Sequence, residues 1–278
     1  MTTLESALSK HGEATSLNTY GIHHAAYPCW DPVGTLRLYR DTLGFAMPHA
    51  IPAWGWGPDD NPDMVHFFFD LGNGDTLAFF YYFGWERPEP PPKALHQATH
   101  PAIEVPDEET LVAIEARLND AGYETFKVAH ESIESIYHWD CNGLLLEFTR
   151  HLRAFDRRDR DDAALSMRAF EDAMAGGATE ISDVWRAKAT LAGAVGAPAL
   201  HVVDVPEWES AIAWAREQPN LEVTERDGYQ VVTGVDGGPV EFQRRPAGLR
   251  PALWYTLPAG GLEGRVTRFD RDVLRVEP

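Results

Sequence analysis

Runs of apolar residues at alternating or helical spacing divide the chain into a repeated series of elements. Residues 19–27 read as a short strand. After a turn at Asp31-Pro32, Leu36, Tyr39 and Leu43 recur at helical spacing before Gly44, so residues 35–43 predict an amphipathic helix with a glycine stop. Two aromatic-rich runs, 64–69 and 76–82, flank Asn73-Gly74, a dipeptide that tolerates positive φ and favours a hairpin turn. A further strand is expected around residues 48–54. The proline-rich tract 86–92 reads as an extended connector.

Beyond it the plan repeats. Residues 100–105 predict a strand, and residues 108–121 a helix with Leu111, Ile114 and Leu118 on one face and Gly122 as its stop. Strands at 135–139 and 144–150 follow, joined by a turn at Asn142-Gly143. A mixed-charge run at 156–162 leads into a helix over 163–175, read as a solvated linker. The motif Leu200-His201-Val-Val-Asp-Val-Pro206 echoes Pro101-Ala-Ile-Glu-Val-Pro106, and Val240-Glu241-Phe echoes Leu146-Glu147-Phe, which suggests a third, eroded copy with closing strands at 252–257 and 265–269. Aligning the Val-Pro pairs sets His201 opposite Pro101, so a second metal site on His201 and Glu241 is not favoured. The expected class is α+β: paired β-α-β-β-β modules at about 20–86 and 97–150 within a domain of residues 1–152, a helical linker at 153–197, and a β-rich, module-like region at 198–278.

Composition narrows the function. The 278 residues are 44% hydrophobic, enough for a substantial core, and 43 acidic against 24 basic side chains give a net charge of −19. That charge repels nucleic acid and anionic lipid. Two cysteines, Cys29 and Cys141, make no disulfide framework, the N-terminus has no signal-peptide pattern, and the apolar run 77–85 is too short to span a bilayer. A cytoplasmic location without a membrane partner is expected.

Candidate chemistry concentrates in histidines at matched places. His24 and His100 each open a strand-like segment, and His130, Tyr137 and Glu147 stand in the stretch 128–147. Two imidazoles and one carboxylate can hold a divalent metal on one face and leave the other open. His23 competes with His24, since strand alternation lets one of the two face the site. The residues alone leave this choice open.

Paired β-α-β-β-β modules with a His on the first strand of each and a Glu on the last strand resemble the vicinal oxygen chelate superfamily, which includes extradiol dioxygenases, glyoxalase I and fosfomycin-resistance enzymes. The resemblance covers residues 20–150 and implies His24, His100 and Glu147 as metal ligands. The order Val128-x-His130, Ile136-Tyr137, Asp140, Gly143, Glu147 resembles the extradiol signature, with Cys141 where that group has proline. It implies His130 and Tyr137 as partners of substrate or oxygen. Asp75 stands where extradiol enzymes carry an acid/base histidine, as a candidate for proton transfer or as a turn residue.

The strand 77–82 lacks the fourth ligand of glyoxalase I, and no Arg or Lys cluster suits a phosphonate. The expectation is therefore a ring-cleaving dioxygenase using Fe(II), with Mn(II), Zn(II) or Ni(II) as substitutes, acting with O₂ on a vicinal diol or catechol-like aromatic. Phe79, Tyr81 or Trp139 are expected beside the metal. The alternatives are a metal-dependent isomerase, lyase or thiol transferase, or a ligand-sequestering resistance protein. The module pair closes within one chain or across a homodimer.

Overall fold

The computed structural model describes residues 22–55, 62–194 and 196–278, so the expected strand residues 19–21 lie outside the described part. Two compact units emerge. One comprises the described residues up to Ala129 together with Ile133–Leu152; the other comprises His130–Ser132 and Arg153–Pro278. The class is α+β.

In the N-terminal unit, β1 (His24–Pro28) is followed by a short helix α1 (Pro32–Thr35), capped by the Asp31 carboxylate on the Gly34 amide. The helix continues over Leu36–Thr42 in a wider π-type winding, where the Leu43 amide reaches back five residues to the Leu38 carbonyl. Strands β2 (His49–Ala53), β3 (Met64–Asp70) and β4 (Thr76–Tyr82) complete a sheet in the order β1-β4-β3-β2, with β1 parallel to β4. The Asn73-Gly74 turn closes the β3–β4 hairpin as its sequence requires, with Gly74 at φ 93°.

The same plan recurs after a short helix α2 (Lys93–Ala98): β5 (Ala102–Glu104), α3 (Glu108–Asp120), β6 (Phe126–Ala129), β7 (Ile133–Trp139) and β8 (Leu145–His151). The order is β5-β8-β7-β6, with β5 parallel to β8. Strand alternation then sorts the side chains. Phe67, Phe69, Leu77 and Phe79 of the first sheet, and Ile103, Ile136, Leu146 and Phe148 of the second, share one core with Tyr39, Leu111 and Leu118 from the helices. Phe79 is therefore fully buried on the core face and Tyr81 packs against that core, which corrects the expectation that they face a site. Their strand neighbours His66, Phe68 and Phe80 occupy the opposite face.

A polar knot fastens the β7–β8 turn to α1. Asn142 Oδ1 accepts from the Trp30 and Asp31 amides at 2.7 and 3.0 Å, and its Nδ2 donates to Thr35 Oγ1. Asp140 accepts from the Asn142 and Leu144 amides and from the Tyr39 hydroxyl at 3.1 Å. Burial pushes the Asp140 carboxyl above its ordinary range, and these donors oppose the shift.

In the C-terminal unit α4 (Arg157–Ala175) begins six residues before the expected 163. Asp156 and Asp159 form a reciprocal cap at that earlier start. Helix α5 (Ile181–Leu191), strand β9 (Ala199–Val203), helix α6 (Glu209–Glu217) and strands β10 (Leu221–Arg226), β11 (Tyr229–Gly234) and β12 (Val240–Gln243) follow. The element order echoes the N-terminal modules, but the pairing differs: β9 lies antiparallel to β11, and β12 joins a separate sheet.

The expected strand at 252–257 is instead helix α7 (Pro251–Thr256). Pro251 pre-forms its first turn, and Leu253, Trp254 and Leu257 fall on one buried side. Strands β13 (Leu262–Glu263), β14 (Arg265–Phe269) and β15 (Val273–Glu277) close the unit; β14 matches the strand expected at 265–269. His201 lies fully buried in β9, and Glu241 pairs with Arg275 Nη1 at 2.9 Å. No helix among the described residues is long and apolar enough to cross a membrane.

Candidate active site

One line of residues across the second sheet builds the site. Ala102, Glu147, Tyr137 and Phe126 are register partners on β5, β8, β7 and β6, so their side chains share a face. The Glu147 amide bonds the Pro101 carbonyl, which holds His100 at the entry of β5 beside the same rung. The result is a chain of contacts. Tyr137 donates its hydroxyl to Glu147 Oε1 at 2.9 Å, and His100 Nε2 lies 2.8 Å from Glu147 Oε2. The Phe126 ring stacks on Tyr137 at 5.0 Å.

Glu147 is buried, with its side chain 4% exposed, whereas the His100 side chain is 29% exposed. His100 is therefore the member that meets solvent. Its Nδ1 lies 2.7 Å from the Gln97 carbonyl, so both ring nitrogens face oxygen acceptors. Satisfying both takes a doubly protonated ring, or an Nδ1–H tautomer with the second proton on Glu147. Burial, then the bond to Glu147 and its charge, push the Tyr137 phenol up to about 12, which keeps it a donor at neutral pH.

His100 lines a cavity of about 720 Å³ with Asp75, Thr76 and Leu77 of the first module, within the usual range for a small-molecule site. Asp75 is partly tied down there. Its amide donates to Asn73 Oδ1 and its Oδ2 accepts from Asn73 Nδ2 at 3.1 Å, the geometry of a turn residue.

His24 does not join the Glu147 cluster. Its Nδ1 contacts Nδ1 of His23 at 2.8 Å, and its ring leans on Phe68 and His66 at 5.8 and 6.5 Å. Among the described residues no three His, Cys, Asp or Glu side chains are grouped to hold a metal ion. The donor set expected from His24, His100 and Glu147 is thus two-thirds assembled: an imidazole and a carboxylate meet, and the second imidazole stays with the first sheet. This arrangement, among the described residues, does not surround Fe(II) or a substitute ion.

His130 stands in the β6–β7 turn, beyond the last paired rung Ala129–Glu134, while Tyr137 pairs with Glu147 farther along β7. Trp139 packs against the His96 ring at 4.6 Å. His138 points to the core side of β7 and bonds the Glu124 carbonyl. His66 is buried, stacked on Phe80 at 3.6 Å, and burial lowers its pKa. Sequence reasoning missed Phe126 and the Gln97 carbonyl. Phe126 was findable as the cross-strand partner of Tyr137, but only once the register was known.

Comparison with known proteins finds a likeness in the N-terminal part of the chain. Residues 21–135 match the model of the Glyoxalase/Bleomycin resistance protein/Dioxygenase superfamily; the match ends two residues before Tyr137. Among solved structures, a glyoxalase family protein from Enterococcus faecalis is 25% identical over 47% of this chain and 97% of its own, with a TM-score of 0.35. A putative dioxygenase from Bacillus subtilis subsp. subtilis str. 168 is 22% identical over 48% of this chain and 41% of its own, at 0.39. A glyoxalase/bleomycin resistance protein/dioxygenase from Alicyclobacillus acidocaldarius is 20% identical over 51% and 98%, at 0.34. No curated protein matches the sequence. Residues 21–135, under half of the chain, are thus similar to the Glyoxalase/Bleomycin resistance protein/Dioxygenase superfamily.

Proposed function

We propose that the N-terminal unit is an enzyme acting on a vicinal diol or catechol-like molecule, with the His100–Glu147 pair as its reacting group. The observation that carries this reading is the 2.8 Å contact of His100 Nε2 with Glu147 Oε2, with His100 lining a cavity large enough for a small aromatic. A diol hydroxyl entering between the two atoms replaces their direct contact and passes its proton to the pair. Tyr137 keeps Oε1 satisfied throughout, so the carboxylate stays oriented while its other oxygen changes partner. Asp75, across the same cavity, is a candidate for a second contact to the substrate once freed from Asn73.

A more specific reading, iron-dependent extradiol cleavage with O₂, is favoured by the order of His130, Tyr137, Asp140, Gly143 and Glu147 in the sequence. It requires His24 to move beside the His100–Glu147 pair. The test is metal content of the purified protein together with oxygen uptake under Fe(II) against a panel of catechols and polycyclic diols. Iron and oxygen consumption support ring cleavage; turnover without oxygen supports an isomerase or lyase. Turnover that survives Glu147→Ala overturns both enzymatic readings of this centre.

A further inference from the structure

Helix α4 (Arg157–Ala175) carries two apolar faces, and the C-terminal unit uses one of them. Ala164, Leu165 and Ala169 are buried within that unit. On the opposite side Met167, Phe170 and Met174 stand 51, 46 and 52% exposed, where a surface helix is ordinarily polar. Their spacing has an order of its own. Arg160, Ala163, Met167, Phe170 and Met174, all exposed, follow one another at steps of three, four, three and four residues. That is the 3.5-residue repeat with which one helix packs along another. Charges beside the seam are paired within the helix, Arg157 with Asp161 at 3.2 Å and Arg168 with Asp172 at 3.0 Å.

The seam complements itself when a second copy runs antiparallel. A twofold axis between Met167 and Phe170 sets each Met167 against Phe170 of the second copy, and each Ala163 against its Met174, small against large. Arg160 then lies at the C-terminal end of the other helix, where the backbone carbonyls gather negative charge. A parallel pair instead sets Arg160 on Arg160 and Phe170 on Phe170 and leaves a gap between facing Ala163 side chains. Repulsion, crowding and a void all disfavour it.

We propose that the chain self-associates through this seam, as an antiparallel pair of α4 helices from two copies. The paired stretch, residues 160–174, is about 22 Å long and buries under about 1,200 Å², the size of a transient interface. The pair is therefore reversible.

Sedimentation velocity of the full chain, between about 1 and 200 µM, brackets the affinity of so small an interface. The mass is expected to rise from one chain to two, and Phe170→Glu to weaken association at least about tenfold, because it sets a charge in the apolar seam. The mass of one chain at every concentration overturns the proposal and leaves the seam to a different partner. A dimer that Phe170→Glu leaves unchanged also overturns it, since its interface then lies elsewhere. Cross-linking reads the orientation. The protein carrying both Ala163→Cys and Met174→Cys is expected to join into covalent dimers on mild oxidation, above the background of the unaltered protein with its exposed Cys141. Ala163→Cys alone is expected to stay at that background; equal cross-linking of the single and double variants indicates a parallel pair and refutes the assignment.

Discussion

The hydroxyl of Tyr137 donates to a carboxylate that is almost closed off from solvent, so removing that one oxygen leaves Glu147 Oε1 without its donor. Tyr137→Phe is expected to destabilise the N-terminal unit by about 1.5–3 kcal/mol, the range for a hydrogen bond to a charged group, read from urea unfolding at pH 7. The phenol also sets an alkaline limit. Its pKa in the folded protein, about 12, lies above the ordinary value of 10.0. The stability it contributes is full below pH 10 and is lost as pH rises through 12. Tyr137→Phe should flatten that alkaline loss, and an unchanged profile would exclude Tyr137 as its source.

His201 works in the opposite direction. Burial, aided by Arg226 and Lys188, lowers its pKa to about 4, and neither ring nitrogen has a partner. The neutral ring's contribution is full above pH 6.5 and is lost as pH falls through 4, on the order of 3 kcal/mol. His201→Leu should reduce the acid sensitivity of unfolding between these values. His100, Tyr137 and Glu147 stood out in the sequence through their repeated positions and the motif order that resembles the extradiol signature; that they meet depends on register, with Tyr137 opposite Glu147 and His100 just before Ala102. The direction of the His24 ring was not legible there, because it depends on His23, His66 and Phe68, which share no motif with it.

The β7–β8 turn shows how an element can be fixed by a few polar atoms. Asn142→Ala strands the Trp30 and Asp31 amides and frees Thr35 Oγ1. A loss of roughly 2–4 kcal/mol is expected in chemical denaturation, about one unsatisfied-group penalty for each amide; a loss below 0.5 kcal/mol would show that water replaces the side chain. Hairpins and capped helices were readable from local chemistry: Asn73-Gly74 for β3–β4, and Gly122 after α3. Helix α7 was misread because Ala252 to Leu257 mixes aromatic and β-branched residues that suit either period over so short a run. Its deciding feature is Pro251 at the first helical position. The pairing of β9 with β11 was beyond reach, since register across distant strands is set by tertiary packing and not by local pattern.

A net charge of −19 on 278 residues repels itself, and screening should therefore stabilise the chain. Raising ionic strength from about 0.01 to 0.15 M shortens the screening length from roughly 30 to 8 Å, and the urea midpoint is expected to rise. A falling midpoint would show that ion pairs such as Arg153–Asp159 outweigh the general repulsion. Charge thus acts over the whole chain, while the proposed chemistry rests on the contact of His100 with Glu147. The most direct test is turnover of a catechol panel by the unaltered protein and by Glu147→Gln, which keeps the shape of the side chain and removes its charge. A drop of at least about a hundredfold is predicted, the scale of lost acid–base assistance; equal rates in the two proteins would contradict the assignment of Glu147 as the centre.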